Sequence, residues 1–445
     1  MFLLRKFAPL LWLLPLPALA APIGEAGARL LLSRSGFGAP PAQVAALAPL
    51  EREAAVDRIL AGSRTEPANA PPPWTAEALL HPPHKQLSED EKKALRDTET
   101  RRGLALRGWW LQEMATTPSP VTEKLTLFWH GHFVSGQSKV KSAQLMYRQN
   151  ALLRREALGN FATLLHDIAR DPAMLRYLDT AGSRKGEANE NFAREVMELF
   201  TLGEGHYSEQ DIREAARAFT GWQLDPASGE PVFRPRRHDD GAKTVLGRSG
   251  TLDGDAVLDT LLAQPATARF ITRKLWLYLV SPTPDEATVN RLAAGFGRDY
   301  QIKPLLRALL LTPAFWQSSG QQVKSPVELT VGTVVTFGAT VPDWQALAQF
   351  NRRMGQDLFD PPNVRGWPGG DAWINSDSLL LRKQFLDSLT RPGGNKPRPQ
   401  IAPDWLQRYP DARQWLPALA TASPLPSAPL PALRQLLQDP AYQLQ

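Results

Sequence analysis

Through most of this chain the apolar residues recur at a helical period, most densely at 189–222, NENFAREVMELFTLGEGHYSEQDIREAARAFTGW. Phe192, Val196 and Leu199 make one apolar line, with Ala193, Met197 and Phe200 beside it, so a helix here must bury one face. Gly203-Glu204-Gly205 stops that helix, because glycine enters left-handed or extended backbone at little steric cost. Ser208 with Asp211 three residues on approximates a capping box for a second helix, which turns Ile212, Ala215, Ala216 and Phe219 inward. The product is a helical hairpin with His206 at its tip. A chain patterned in this way is confined to a mainly α fold.

Similar patterns fill 26–62 around a Ser35-Gly36-Phe37-Gly38 turn, and resume at Ser88, Ser119-Pro120, 142–180, 255–315, 326–356 and near Leu430 to Leu437. The interruptions are informative. Residues 63–86 are a proline-rich strap, and 391–445 a proline-rich C-terminal extension. Beyond Trp222 the texture changes to short β-like runs at Pro231–Pro235 and Lys243–Gly247, a small β-hairpin-like insertion around 231–247. The expected architecture is one large multi-helix domain over 21–390 that carries this insertion.

Met1 to Ala20 reads as a secretory signal peptide: Arg5 and Lys6, an apolar stretch from Phe7, and Ala18-Leu19-Ala20 as a cleavage site. Pro9, Pro15 and Pro17 interrupt a run already short for a bilayer span, so an uncleaved anchor is the weaker alternative. The mature chain is expected to begin at Ala21, exported to the periplasm or medium, with no transmembrane span. Losing Arg5 and Lys6 brings the formal charge of +6 to about +4. Such a modest, scattered excess argues against nucleic acid as a partner. Cysteine is absent, so packing alone holds an exported chain together, and thiolate catalysis and cysteine-ligated metals are excluded.

Polar residues stand out against the helical pattern in four places. Glu190, Arg194 and Glu198 form an i, i+4, i+8 ladder suited to a solvated face, yet Glu195 and Glu198 lie one turn apart and are also placed to divide acid and base roles or hold a metal. In FWHGHF, on a continuous helix His130 and His132 point about 200° apart and cannot share an ion; an extended segment broken at Gly131 would put them on one side. His238 beside Asp239, with Lys243 close behind, fits a general base with its carboxylate, or an Asp-Gly turn between strands. The loop 361–375 offers Trp367 and Trp373 either for stacking on sugar rings or for packing the loop down. His166 reads as structural, and His81 and His84 as exposed loop histidines. No GxxxxGK[ST], GxSxG or HExxH motif is present.

FWHGHF at 128–133, NENFAREVMELFTLG at 189–203, HYSEQDIREAARAFTGW at 206–222, HDDGAKTVLG at 238–247, KSPVEL at 324–329 and PPNVRGWPGGDAWIN at 361–375 together resemble the bacterial family called domain of unknown function 1800. The likeness covers roughly residues 26–390. It implies a large exported helical protein, often encoded beside an uncharacterised family similar to sulfatase-type enzymes, which is a candidate partner. It implies no activity.

Two functions stay open, and whether the chain is an enzyme is not decided. The favoured one is a secreted, metal-assisted hydrolase: Glu195, Glu198, His238, Asp239 and Lys243 in catalysis, with one divalent ion on His130, His132 and His206. The other is a non-catalytic envelope protein that binds glycan or protein through Arg194, Trp222, Trp367, Trp373 and Asn375.

Overall fold

The computed structural model describes residues 21–79, 87–391, 398–411, 415 and 421–445. The leader at 1–20 and the histidines at 81 and 84 lie outside the described residues. The first helices are α1 (Gly24–Ser35), α2 (Pro41–Leu47), α3 (Arg52–Ala61), α4 (Glu89–Thr116), α5 (Pro120–His132) and α6 (Gln137–Val140). Next come α7 (Ala143–Arg155), α8 (Phe161–Ala169), α9 (Pro172–Tyr177), α10 (Asn191–Glu195) and α11 (Glu209–Ala218). Then follow α12 (Gly254–Leu262), α13 (Pro265–Leu279), α14 (Glu286–Phe296), α15 (Ile302–Leu310) and α16 (Pro313–Trp316). The last are α17 (Pro326–Phe337), α18 (Trp344–Arg353), α19 (Ser376–Ser388), α20 (Trp405–Arg408) and α21 (Pro429–Gln438). The fold is mainly α, as the periodicity predicts, and no described helix is long and apolar enough to cross a membrane.

The expected helical hairpin is present, with one departure. α10 runs on into a π-helical turn at Val196–Thr201 before Gly203 stops it at φ 82°. Ser208 and Asp211 close a full capping box on α11. The β-like insertion differs from the single hairpin expected around 231–247. Strand β2 (Pro231–Phe233) pairs back onto β1 (Trp222–Leu224), and β3 (Lys243–Val245) pairs forward with β4 (Arg248–Gly250), both antiparallel. The two runs therefore never meet. Asp239 is drawn to Arg217 and His238 to Thr220 instead of turning one strand onto the other.

Two hydrophobic cores flank α5. Leu125, Phe128 and Trp129 enter one, shared with α1–α3, α8 and α11–α15, while Leu127 enters the other, shared with α4, α17–α19 and α21. Every residue of α5 from Val121 to His132 is buried except Gly131. A buried helix must have its polar groups answered. The Glu123 carboxylate takes a bidentate pair from Arg154, Nε to Oε1 at 2.6 Å and Nη2 to Oε2 at 2.9 Å, and a hydrogen bond from Trp110 Nε1 at 2.8 Å. Lys124 pairs with Glu328 of α17. Removing either partner of such a buried pair costs roughly 3–5 kcal/mol.

Asp171, the cap of α9, is buried and accepts from Met174 N and Gln149 Nε2, both at 2.8 Å. Burial outweighs these bonds and raises its pKa from 3.8 to about 7. The fold therefore favours the neutral acid, and this group's contribution to stability falls as pH rises from about 4 to 7. Asn caps as well as Asp without ionising. Urea denaturation of Asp171→Asn should show the variant gaining on the parent chain by roughly 3 kcal/mol between pH 4 and 8; a difference constant with pH would mean that Asp171 ionises in its ordinary range.

Candidate functional site

α5 continues unbroken through Gly131, so the two histidines leave the helix on different sides. The ring of His130 packs against Trp110, Phe359 and Trp367, and its Nε2 accepts from Phe359 N at 3.0 Å. Burial, with Arg107 adding to it, lowers its pKa to about 3, so the ring is neutral. Gly131 is where the loop at 361–375 lies down on the helix. Gly366, at φ +84°, comes so close that a Cβ there would stand 2.6 Å from Gly131 O, and Trp367 covers the Gly131 position at 3.7 Å. This contact places Trp367 and Trp373 opposite α13 and the segment 321–328. Between them lies a cleft of about 640 Å³, lined by His132, Lys274, Tyr278 and Glu328 as well as the loop.

His132 forms part of the cleft floor. Its Nε2 is 3.2 Å from Phe200 O, an atom that only accepts, so Nε2 carries the hydrogen and Nδ1 the lone pair. Lys274 Nζ, 2.8 Å away, donates to that Nδ1. Burial, then the Lys274 charge, hold the imidazole well below its ordinary pKa. Lys274 is itself brought down to about 8 by burial. Among the described residues it pairs with no carboxylate.

Behind the cleft wall stands a second group of charges. Glu328 also accepts Ser325 N at 2.8 Å. Burial would raise it, but Lys124, Ser325 and Gln445 outweigh burial and hold it at about 2. Four cations feel this one carboxylate: Arg34, Lys124, Lys324 and Arg382. Arg34 is otherwise bound to the carbonyls of Leu279, Val280, Ser318 and Gln445, and Arg382 to that of Lys324. Burial takes Lys324 down to about 7. Glu328 is thus the carboxylate toward which these buried cations are drawn.

The remaining residues singled out in the sequence lie elsewhere. Glu195 is half-buried, its pKa raised by burial and by Glu198 beside it. Glu198 is taken by Arg365 at 2.7 Å and Tyr207 at 3.2 Å. Arg194 joins Glu190 and Glu209 on the surface, the ladder extended to α11. His206 is exposed, with Nδ1 3.4 Å from Gly203 O. His238 Nδ1 donates to Thr220 O at 3.0 Å, while Asp239 is held at about 2 by the hydrogen-bonding Arg217, so the two form no base and carboxylate pair. Lys243 spends its ammonium on the carbonyls of Asp239 and Gly241. Trp222 packs at a tilt against Phe233 under Arg170, and Asn375 caps α19. His130, His132 and His206 are not brought to one point. Among the described residues no three His, Asp or Glu side chains are placed to hold a metal ion.

Of the expected residues, His132, Trp367 and Trp373 share the cleft. Lys274 and Glu328 were missed, although both left a mark in the sequence. Lys274 sits between Phe270 and Tyr278 at i−4 and i+4, a cation on an aromatic helix face, and Glu328 closes a Ser-x-x-Glu capping box.

A family model described as protein of unknown function (DUF1800) matches residues 30–444. No curated protein and no solved structure matches the chain.

The seat of the loop on α5 can be tested by two neighbouring substitutions. Gly366→Ala introduces a side chain at positive φ and against the Gly131 carbonyl, and should cost roughly 2–3 kcal/mol in urea denaturation. Arg365→Ala removes the ion pairs of an exposed guanidinium with Glu198 and Glu204 and should cost under about 1 kcal/mol. Equal losses would show that the close approach at Gly131 does not anchor the loop.

Proposed function

Because the chain belongs to the DUF1800 family, whose description carries no activity, we propose from its own geometry that the cleft binds an anionic glycan and that the protein is an exported, non-catalytic envelope binder. The observation that carries this reading is Lys274, a cation on the cleft wall that no carboxylate among the described residues neutralises. An ammonium in such a place is answered by a carboxylate or sulfate brought by the ligand. Trp367, Trp373, Phe128 and Tyr278 give the cleft aromatic walls.

Hydrolysis of a glycosidic bond calls on a pair of carboxylates. Of the two on the cleft wall, Glu328 is committed to Lys124 and only Asp371 is exposed. This favours binding over cleavage. Export rests on the leader read at Met1 to Ala20, and N-terminal sequencing of the secreted protein should begin at Ala21; retention of the leader would sink that part of the reading.

Calorimetric titration with uronate and sulfated oligosaccharides, beside their neutral counterparts, tests the binding. The anionic sugars should bind at least about tenfold more tightly, Lys274→Met should lose about tenfold or more, and Lys274→Arg should keep most of the affinity. Affinity should fall as pH passes about 8, where the Lys274 ammonium loses its charge. Equal binding of neutral and anionic sugars, or an unaffected Lys274→Met variant, would overturn it.

A further inference from the structure

We propose that Lys274 is also a nucleophilic amine, which captures carbonyl compounds entering the cleft as imines; this rests on the reading that the cleft admits ligands. The geometry distinguishes this lysine from those held by a charge or a carbonyl. Lys92, Lys139 and Lys185 are ion-paired on the surface, Lys124 is paired with Glu328 inside, and Lys243 and Lys324 are tied to main-chain carbonyls. The one hydrogen-bond acceptor of Lys274 among the described residues is a neutral ring nitrogen, His132 Nδ1 at 2.8 Å. That ring does not swing away: Nε2 is bound to Phe200 O, and Phe128, Phe133 and Phe200 pack around it. A nucleophile held by an imidazole that is itself oriented by a third group is the arrangement covalent catalysis uses.

The other titratable groups on the cleft wall are Tyr278, one turn along α13, with Glu328 and Asp371; neither carboxylate lies within ion-pair distance of Lys274. Burial alone lowers the amine to about 8. At pH 8 its unprotonated fraction is then on the order of a hundredfold above that of an ordinary lysine.

The step is balanced without an oxidant. The ammonium first gives a proton to solvent. The Nζ lone pair, turned toward the cleft because an N–H is held by His132, attacks the carbonyl carbon; a C–N bond forms and the carbonyl oxygen takes up a proton. That hydroxyl then leaves as water with the second amine hydrogen, and amine plus carbonyl has become imine plus water. A bound anion and the imine compete for one nitrogen, so an anionic sugar should protect Lys274.

The test is to treat the full chain at pH 8 with limiting pyridoxal 5′-phosphate, trap the imine with borohydride, and locate the label by peptide mass mapping. Lys274 should be labelled about tenfold or more faster than any other lysine, with a rate that rises through pH 8. Lys274→Arg, which has no amine able to form an imine, should lose the fast label and leave the other lysines reacting at their slower rates. Label spread evenly over surface lysines would overturn the inference while leaving the anion site standing. Selective label that an anionic glycan fails to block would uphold the inference and count against the proposed glycan.

Discussion

The burial of α5 between two cores is the constraint on which the rest of the structure depends. A helix enclosed on nearly every side cannot carry charge unless its neighbours answer it, because an unpaired buried ion costs several kcal/mol. Glu123 and Lys124, adjacent in sequence, point to different neighbours and are answered by Arg154 of α7 and Glu328 of α17. These two pairs fix α5 against both cores and set its rotation. That rotation decides where its last turn presents His130, Gly131 and His132.

From that turn the cleft follows. Gly131 is the one position on α5 without a side chain to keep another backbone away, and the loop settles there through Gly366. The loop's aromatic rings then form a wall, α13 forms the opposite one, and His132 lies between them in reach of Lys274. The cation is tolerated because the ring offers a lone pair, and the ring offers a lone pair because Phe200 O takes its hydrogen. That carbonyl belongs to the π-helical turn that follows α10, a local widening of the helix frequent at functional sites.

Much of the fold was legible in the residues themselves. The two helices of 189–222, their glycine stop and the Ser208–Asp211 capping box are local: period, φ preference and a bond three residues long need no distant partner. The continuity of α5 through Gly131 was not legible, since one glycine permits both outcomes and the burial of the flanking residues chose between them. The separate pairing of 231–233 and 243–245 was missed for a related reason. Short polar strands specify register weakly, and the contacts of Asp239 and His238 with Arg217 and Thr220 came from elsewhere in the chain.

The site divides along the same line. The sequence by itself determined a mainly α protein without disulfides and which residues were polar where packing did not ask for it, because helical period and residue chemistry are properties of neighbours along the chain. Only the tertiary structure decided which of those residues meet. His132 met Lys274 across 142 positions and Lys124 met Glu328 across 204, whereas His206, His238 and Glu195 were dispersed to other partners. Such meetings depend on how two cores close around one helix, and no periodicity within a segment encodes the partner that burial will require of it.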